Sequence, residues 1–277
     1  MTDITFDPAS HYDRVTAAWL WLLGDELHYG AFERGDEELQ AATRHLTDLL
    51  FAAVQVESDS RILDVGCGTG APACHLATFG AHVVGITTSA AGVEAARARA
   101  AAAGMDSRVS FELRDGMDNG FPDGSFDRVW VMESSHLMPD RARLVAECAR
   151  VLRPGGRVGL CDITLHRVLA FEEIRRLRQP LGLLRDVFGD ARMEPLSVYR
   201  SLFEQAGLTV DVERDLTDLT RPTFSRWRAN AERHRDKVIP LLGEEGWHQF
   251  VDSCAVLEGF WDDGTLGYGL IAGQKPE

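Results

Sequence analysis

Few folds other than a strand, a tight turn and a helix accommodate the run Leu63-Asp64-Val65-Gly66-Cys67-Gly68-Thr69-Gly70. Arg61–Val65 is a short apolar strand, three glycines follow at alternate positions, and helix-compatible residues continue to Phe79. Glycines at 66, 68 and 70 let the backbone turn sharply and lie close to a ligand. Just beyond, a helix N-terminus offers N–H groups without helical partners. A dinucleotide loop would read G-x-G-x-x-G. Here the spacing is G-x-G-x-G behind an aspartate, which suits a nucleoside with an amino-acid tail and no phosphate to cradle.

Downstream the same alternation repeats. Strands are predicted over Ala81–Thr87, Val109–Leu113, Phe126–Met132 and Arg157–Leu165, with helices over Ala90–Gly104 and Arg141–Val151 between them. Thr88 or Ser89 caps the first of these helices and Gly104 stops it. Alternating strands and helices imply an α/β fold with a doubly wound, mostly parallel sheet. Leu208–Leu216 and Thr265–Ala272 bring the sheet to seven strands. Residues 9–54 are predicted as helices broken near His28-Tyr29-Gly30. Helical stretches run from Leu165 to about Gly207, over Thr223–Leu242 and over Glu244–Trp261. The expected organisation is one domain over 1–277: an amino-terminal helical cover at 1–55, a ligand-binding core at 56–165, cap helices with a late strand at 166–264, and a last strand at 265–277.

Composition excludes several functions. The net charge of −14 disfavours a nucleic-acid partner; only Arg175-Arg176-Leu177-Arg178 approaches a basic run, and it reads as an exposed helix face. Five widely spaced cysteines (67, 74, 148, 161 and 254) fit neither a disulfide framework nor a zinc site, and a reducing cytoplasm is expected. No apolar run reaches the roughly 18 residues of a membrane span, so no membrane partner is expected. No metal is expected either. Homo-oligomerisation is left open.

In doubly wound sheets ligands bind beyond the carboxyl ends of the strands. Besides the glycine loop, three segments are expected there. Thr87 and Thr88 end the second strand and offer hydroxyls for a ribose. Asp115-Gly116-Met117 follows the third, where a carboxylate and an apolar side chain suit the edge and face of an adenine. Glu133 to His136 leave the fourth and face the crevice. Asp115-Gly116 also reads as a plain turn, Thr88 as a plain cap, and a lone histidine as structural.

At these residues the chain resembles the class I S-adenosylmethionine-dependent methyltransferases, a Rossmann-like family. Within them it is similar to the small-molecule group of bacterial natural-product pathways, with plant tocopherol methyltransferases as cousins. The resemblance spans nearly the whole chain. It rests on Leu27-His28-Tyr29-Gly30, Leu63–Gly70, Gly85-Ile86-Thr87, Glu133-Ser134 with His136, Met138, Pro139 and Asp140, and Val151-Leu152-Arg153-Pro154-Gly155-Gly156. It implies S-adenosylmethionine as cofactor, contacted by Tyr12, His28, Tyr29, Asp64, Gly66, Cys67, Gly68, Thr87, Thr88, Asp115, Gly116, Met117 and Glu133. It also implies a catalytic role for Asp162. Ala91-Gly92 stands where the group often has Pro-Gln, and Leu137 where a sugar methyltransferase of the group has a second histidine.

Methyl transfer is an in-line displacement from a donor already activated by its sulfonium. The protein has to align nucleophile and methyl, exclude water and remove a proton. His136 and Asp162 end neighbouring strands and are expected to converge as base and orienting carboxylate. Tyr12, Tyr29 and Trp130 are candidates to stabilise positive charge if they face the site. Apolar residues of the later helices, among them Leu181, Leu184, Phe188, Phe224 and Trp227, predict a largely hydrophobic small-molecule acceptor. Two alternatives stay open: a cyclase of the same pathways that binds the cofactor without methylating, and a non-catalytic interaction protein on this fold.

Overall fold

The computed structural model describes residues 8–277, with side chains from residue 15 onward. Two helices, α1 (Pro8–Leu22) and α2 (Leu39–Val54), precede an alternating series. It runs β1 (Arg61–Val65), α3 (Ala71–Thr78), β2 (His82–Thr87), α4 (Ala90–Ala102), β3 (Val109–Leu113), β4 (Phe126–Met132), α5 (Arg141–Val151) and β5 (Leu152–Leu165). Then come α6 (Phe171–Arg176), α7 (Arg178–Phe188), α8 (Leu196–Gln205), β6 (Thr209–Asp215), α9 (Thr217–Thr220), α10 (Thr223–Arg233), α11 (Arg235–Asp262) and β7 (Leu266–Gln274).

The seven strands form one sheet in the order β3-β2-β1-β4-β5-β7-β6. The first five pair in parallel, and β7 runs antiparallel between β5 and β6. The strand order reverses between β1 and β4, and a crevice opens at that switch point. Val65 and Met132 end those two strands, so the glycine loop and the segment from Glu133 flank it.

Apolar side chains cover both faces of the sheet. On one, α1 to α4 with α10 and α11 pack into a core that includes Leu46, Leu50, Trp130, Trp227 and Phe250. On the other, α5 and α8 bury Leu144, Tyr199 and Phe203 against Leu63, Val129 and Leu160. Ser89 caps α4, accepting from the Gly92 N–H at 2.9 Å, and Asp140 caps α5 in the same way through Arg143. Both hydroxyl and carboxylate satisfy a first-turn N–H that the helix leaves unpaired.

Two predicted boundaries move. The fifth strand starts at Leu152, because Phe126 pairs with Leu152 ahead of the Gly155-Gly156 irregularity. The long late helix breaks at Gly243, where φ is 77°, but a second break falls at His234.

Candidate functional site

The crevice holds a cavity of about 310 Å³ built from four loops. Gly66, Gly68 and Gly70 all sit at positive φ, a region L-residues with side chains seldom occupy. A Cβ on Gly66 would strike Ser134, whereas a Cβ on Gly68 would meet nothing and project into open space. The loop is therefore close-packed behind and bare in front. Asp64 sits at its base, 2% exposed, with Oδ2 lacking any hydrogen-bond partner. Burial pushes its carboxyl up to about 7, although the nearby His28 charge pulls the other way. A buried carboxylate oxygen left unpaired on a residue that lines a cavity calls for a donor from a ligand.

Eleven of the thirteen residues anticipated at the cofactor line this cavity: His28, Asp64, Gly66, Cys67, Gly68, Thr87, Thr88, Asp115, Gly116, Met117 and Glu133. The cap of α4 is Ser89, which leaves the exposed Thr88 hydroxyl free of structural duty. Asp115 does form the anticipated turn, accepting from the Met117 N–H at 2.9 Å. The Tyr12 side chain lies outside the described residues. Tyr29 departs from expectation: its ring stacks on Trp261 at 5.5 Å, meets Phe224 and Trp227 edge-on, and lines a second cavity instead. Trp130 is wholly buried and lines neither cavity.

The second cavity, about 540 Å³, shares Leu27 and Glu133 with the first. Its walls include Trp19, Leu181, Leu184, Phe188 and Trp227, and His136 is at its floor. Phe224 packs into the core instead.

His136 follows β4 in a single turn of 3₁₀ helix, Ser135–Leu137. Its Nδ1 lies 2.6 Å from Oδ1 of Asp162 on β5, so the two strand ends do converge. Asp162 is fully buried and also accepts from the His136 N–H, the Ser135 hydroxyl and the Ile163 N–H. Tyr199 on α8 extends the chain, its hydroxyl 2.7 Å from Ser135 Oγ. Burial opposes charge on both partners, but their mutual attraction and hydrogen bonds win: the His136 pKa is raised and that of Asp162 lowered. With Nδ1 committed to Asp162, His136 Nε2 has no hydrogen-bond partner among the described residues.

Glu133 joins the two cavities. Its φ of 47° turns the chain out of the sheet. One carboxylate oxygen accepts from the Tyr29 N–H at 2.9 Å and from the Tyr268 hydroxyl at 2.7 Å. Burial raises it to about 7, against the pull of His28. His28 in turn faces two acceptors, the Tyr29 carbonyl at 2.7 Å through Nδ1 and Glu26 at 3.0 Å through Nε2. Acceptors at both ring nitrogens favour the protonated ring. Burial opposes that charge, but the Glu26 hydrogen bond and the charges of Glu133 and Glu26 raise its pKa overall. Arg44 and Thr47 complete the cluster around Glu26.

Sequence reasoning did not single out Glu26, Tyr199 or Tyr268. Tyr199 and Tyr268 reach the site across the fold, with no local motif to mark them, and Glu26 lies two residues before His28. Met138 and Pro139 line the first cavity and belong to a segment that had been read only as a signature.

Residues 63–160 match the family described as "Methyltransferase domain". The chain is 35% identical over 274 residues to "27-O-demethylrifamycin SV methyltransferase" of Amycolatopsis mediterranei (strain S699), with 96% of each chain covered. It is 34% identical over 280 residues to "Methyltransferase GfsG" of Streptomyces halstedii, covering 96% of this chain and 93% of that one. Among solved structures it is similar to the [4+2]-cyclase SpnF, with a TM-score of 0.82, 27% identity, and 97% and 95% of the two chains covered.

Proposed function

This chain belongs to the class I S-adenosylmethionine-dependent methyltransferases, and from that premise we propose that it methylates a hydroxyl oxygen of a small, largely hydrophobic natural product. The observation that carries the reading is the buried His136–Asp162 pair on the floor of an apolar cavity that adjoins the glycine-loop cavity. Two relatives matched over nearly their whole length are named as methyltransferases, which supports methyl transfer over the cyclase alternative.

The glycine-loop cavity fits S-adenosylmethionine. The bare face at Gly68 admits a close-lying ligand, and the unpaired Asp64 oxygen suits an ammonium. Thr87 and Thr88 offer hydroxyls to a ribose, and Asp115 and Met117 an edge and a face to an adenine. When bound, S-adenosylmethionine supplies a methyl group activated by a positive sulfur. Leu27 and Glu133, common to both cavities, mark where donor and acceptor meet.

His136 Nε2 takes the proton of the acceptor hydroxyl as the oxygen becomes bonded to carbon. Asp162 holds the ring by Nδ1 and stabilises the imidazolium that forms. The segment through Leu27 and His28 closes over the first cavity, α7 and α10 wall the second, and together they exclude water.

The test uses methyl-labelled S-adenosylmethionine and a panel of hydroxylated polyketides, scored by mass spectrometry for label on oxygen. Label on oxygen in at least one acceptor supports the reading. Cofactor binding with acceptor turnover but no label would replace it with the cyclase.

A further inference from the structure

We propose that the second cavity carries an anion subsite at its mouth, formed by Arg178 and Arg185, and that the acceptor is an amphipathic acid whose ionised group sits there. The inference rests on the reading of that cavity as the acceptor site and goes beyond it to the acceptor's chemical class.

Helix α7 presents a stripe to the cavity: Arg178, Leu181, Arg185 and Phe188 recur at spacings of three and four. On a helix such residues share one face. The two leucine and phenylalanine positions suit an apolar wall, but the two arginines interrupt it. Both arginines are exposed, whereas Glu133 is half-buried and His136 buried. The arginines therefore mark the mouth and the His136–Asp162 pair the floor.

These arginines are poorly compensated by the protein. Most arginines of this acidic chain have a carboxylate within 4 Å. Arg178 has no ion pair or hydrogen bond among the described residues. Arg185 has only its chain neighbour Asp186, at 3.8 Å, with both side chains more than 60% exposed. Such a contact is weak. Asp190 is the remaining acid at the mouth, and it leans toward Arg192 at 3.8 Å. A cation placed there without a protein partner is compensated when an anion arrives with the ligand, and two planar guanidinium groups match a carboxylate or sulfonate well.

The opposite end of such a molecule would carry the hydroxyl to His136 Nε2, with its apolar body between Leu181, Phe188 and Trp227. A neutral molecule of the same shape would bind through the walls alone. The subsite thus selects among acceptors of similar shape by charge.

The experiment compares two fluorescent probes on the full chain: anilinonaphthalene sulfonate, an amphipathic anion, and N-phenylnaphthylamine, the same ring system without the sulfonate. In the Arg178→Ala/Arg185→Ala double variant, affinity for the anion should fall about tenfold and affinity for the neutral probe should hold. Restoring lysine at both positions should recover part of the loss. Leu181→Trp, which fills the cavity, should weaken both probes. If the double variant leaves the anion's affinity unchanged while Leu181→Trp weakens both probes, the anion subsite is wrong and the acceptor cavity stands. If the double variant weakens both probes equally, the arginines act through packing and the subsite is wrong. If Leu181→Trp affects neither probe, the acceptor cavity itself falls and the subsite with it.

Discussion

Replacing Asp64 by asparagine should make the ligand-free protein more stable while weakening cofactor binding. The carboxyl is 2% exposed, has one oxygen without a partner, and is pushed by burial from 3.8 to about 7. A group that binds its proton more tightly folded than unfolded costs stability as pH rises. The cost is absent below 3.8, grows between 3.8 and about 7, and is constant above. At about 1.4 kcal/mol per pH unit this amounts to roughly 4 kcal/mol above neutrality. Asparagine is nearly the same shape and never ionises. Thermal unfolding of the ligand-free variant at pH 8 should therefore occur on the order of 10 °C above wild type, and the difference should vanish near pH 4. Calorimetry with S-adenosylhomocysteine should show the opposite preference. Losing a charged hydrogen bond to the ligand's ammonium should cost about 1.5–3 kcal/mol, or ten- to a hundredfold in affinity. An asparagine variant destabilised equally at pH 4 and pH 8 would refute the reasoning, since the carboxyl would then be a structural hydrogen-bonding group. Unchanged affinity would remove Asp64 from the binding site.

Three further outcomes follow from the geometry. Gly68→Val should abolish S-adenosylhomocysteine binding by calorimetry, because the side chain would enter the space a ligand needs, and its strain at a φ of +52° should also lower thermal stability by roughly 1–3 kcal/mol. Amide exchange across residues 15–35 should slow on S-adenosylhomocysteine binding, since Thr16, Leu27 and His28 line that cavity; unchanged exchange would mean the segment does not close. Tyr199→Phe removes a hydroxyl bonded to Ser135, which in turn donates to Asp162, so it should shift the pH midpoint of kcat with little change in acceptor KM; a KM effect alone would make Tyr199 a packing residue.

Much of this arrangement was legible in the sequence because it is local. The strands 61–65, 109–113 and 126–132 and the helix 141–151 fall where apolar runs and turn residues place them. The glycine loop announces itself by spacing. The meeting of His136 and Asp162 follows from a topology rule, that β4 and β5 are neighbours. What stayed hidden depends on side chains that travel far. Tyr268 reaches Glu133 from the antiparallel β7, and Glu26 raises the pKa of His28 through a contact within a segment that has no periodicity. Tyr29 was placed by its neighbour's motif, but four aromatic rings claim its side chain and only its backbone N–H reaches Glu133.

The measurement that bears most directly on the proposed chemistry is the pH dependence of kcat for wild type, His136→Ala and Asp162→Asn, with an acceptor identified from the labelled panel. A base must be neutral to accept a proton, and the Asp162 charge holds the His136 pKa above 6.5. Wild-type kcat should therefore rise with pH through a midpoint above 6.5. Asp162→Asn should move that midpoint to lower pH, because burial then acts without its counterweight. His136→Ala should lower kcat by about 10²–10⁴-fold and abolish the midpoint, with cofactor affinity retained. A loss of less than about tenfold with the wild-type profile preserved would contradict His136 as the base.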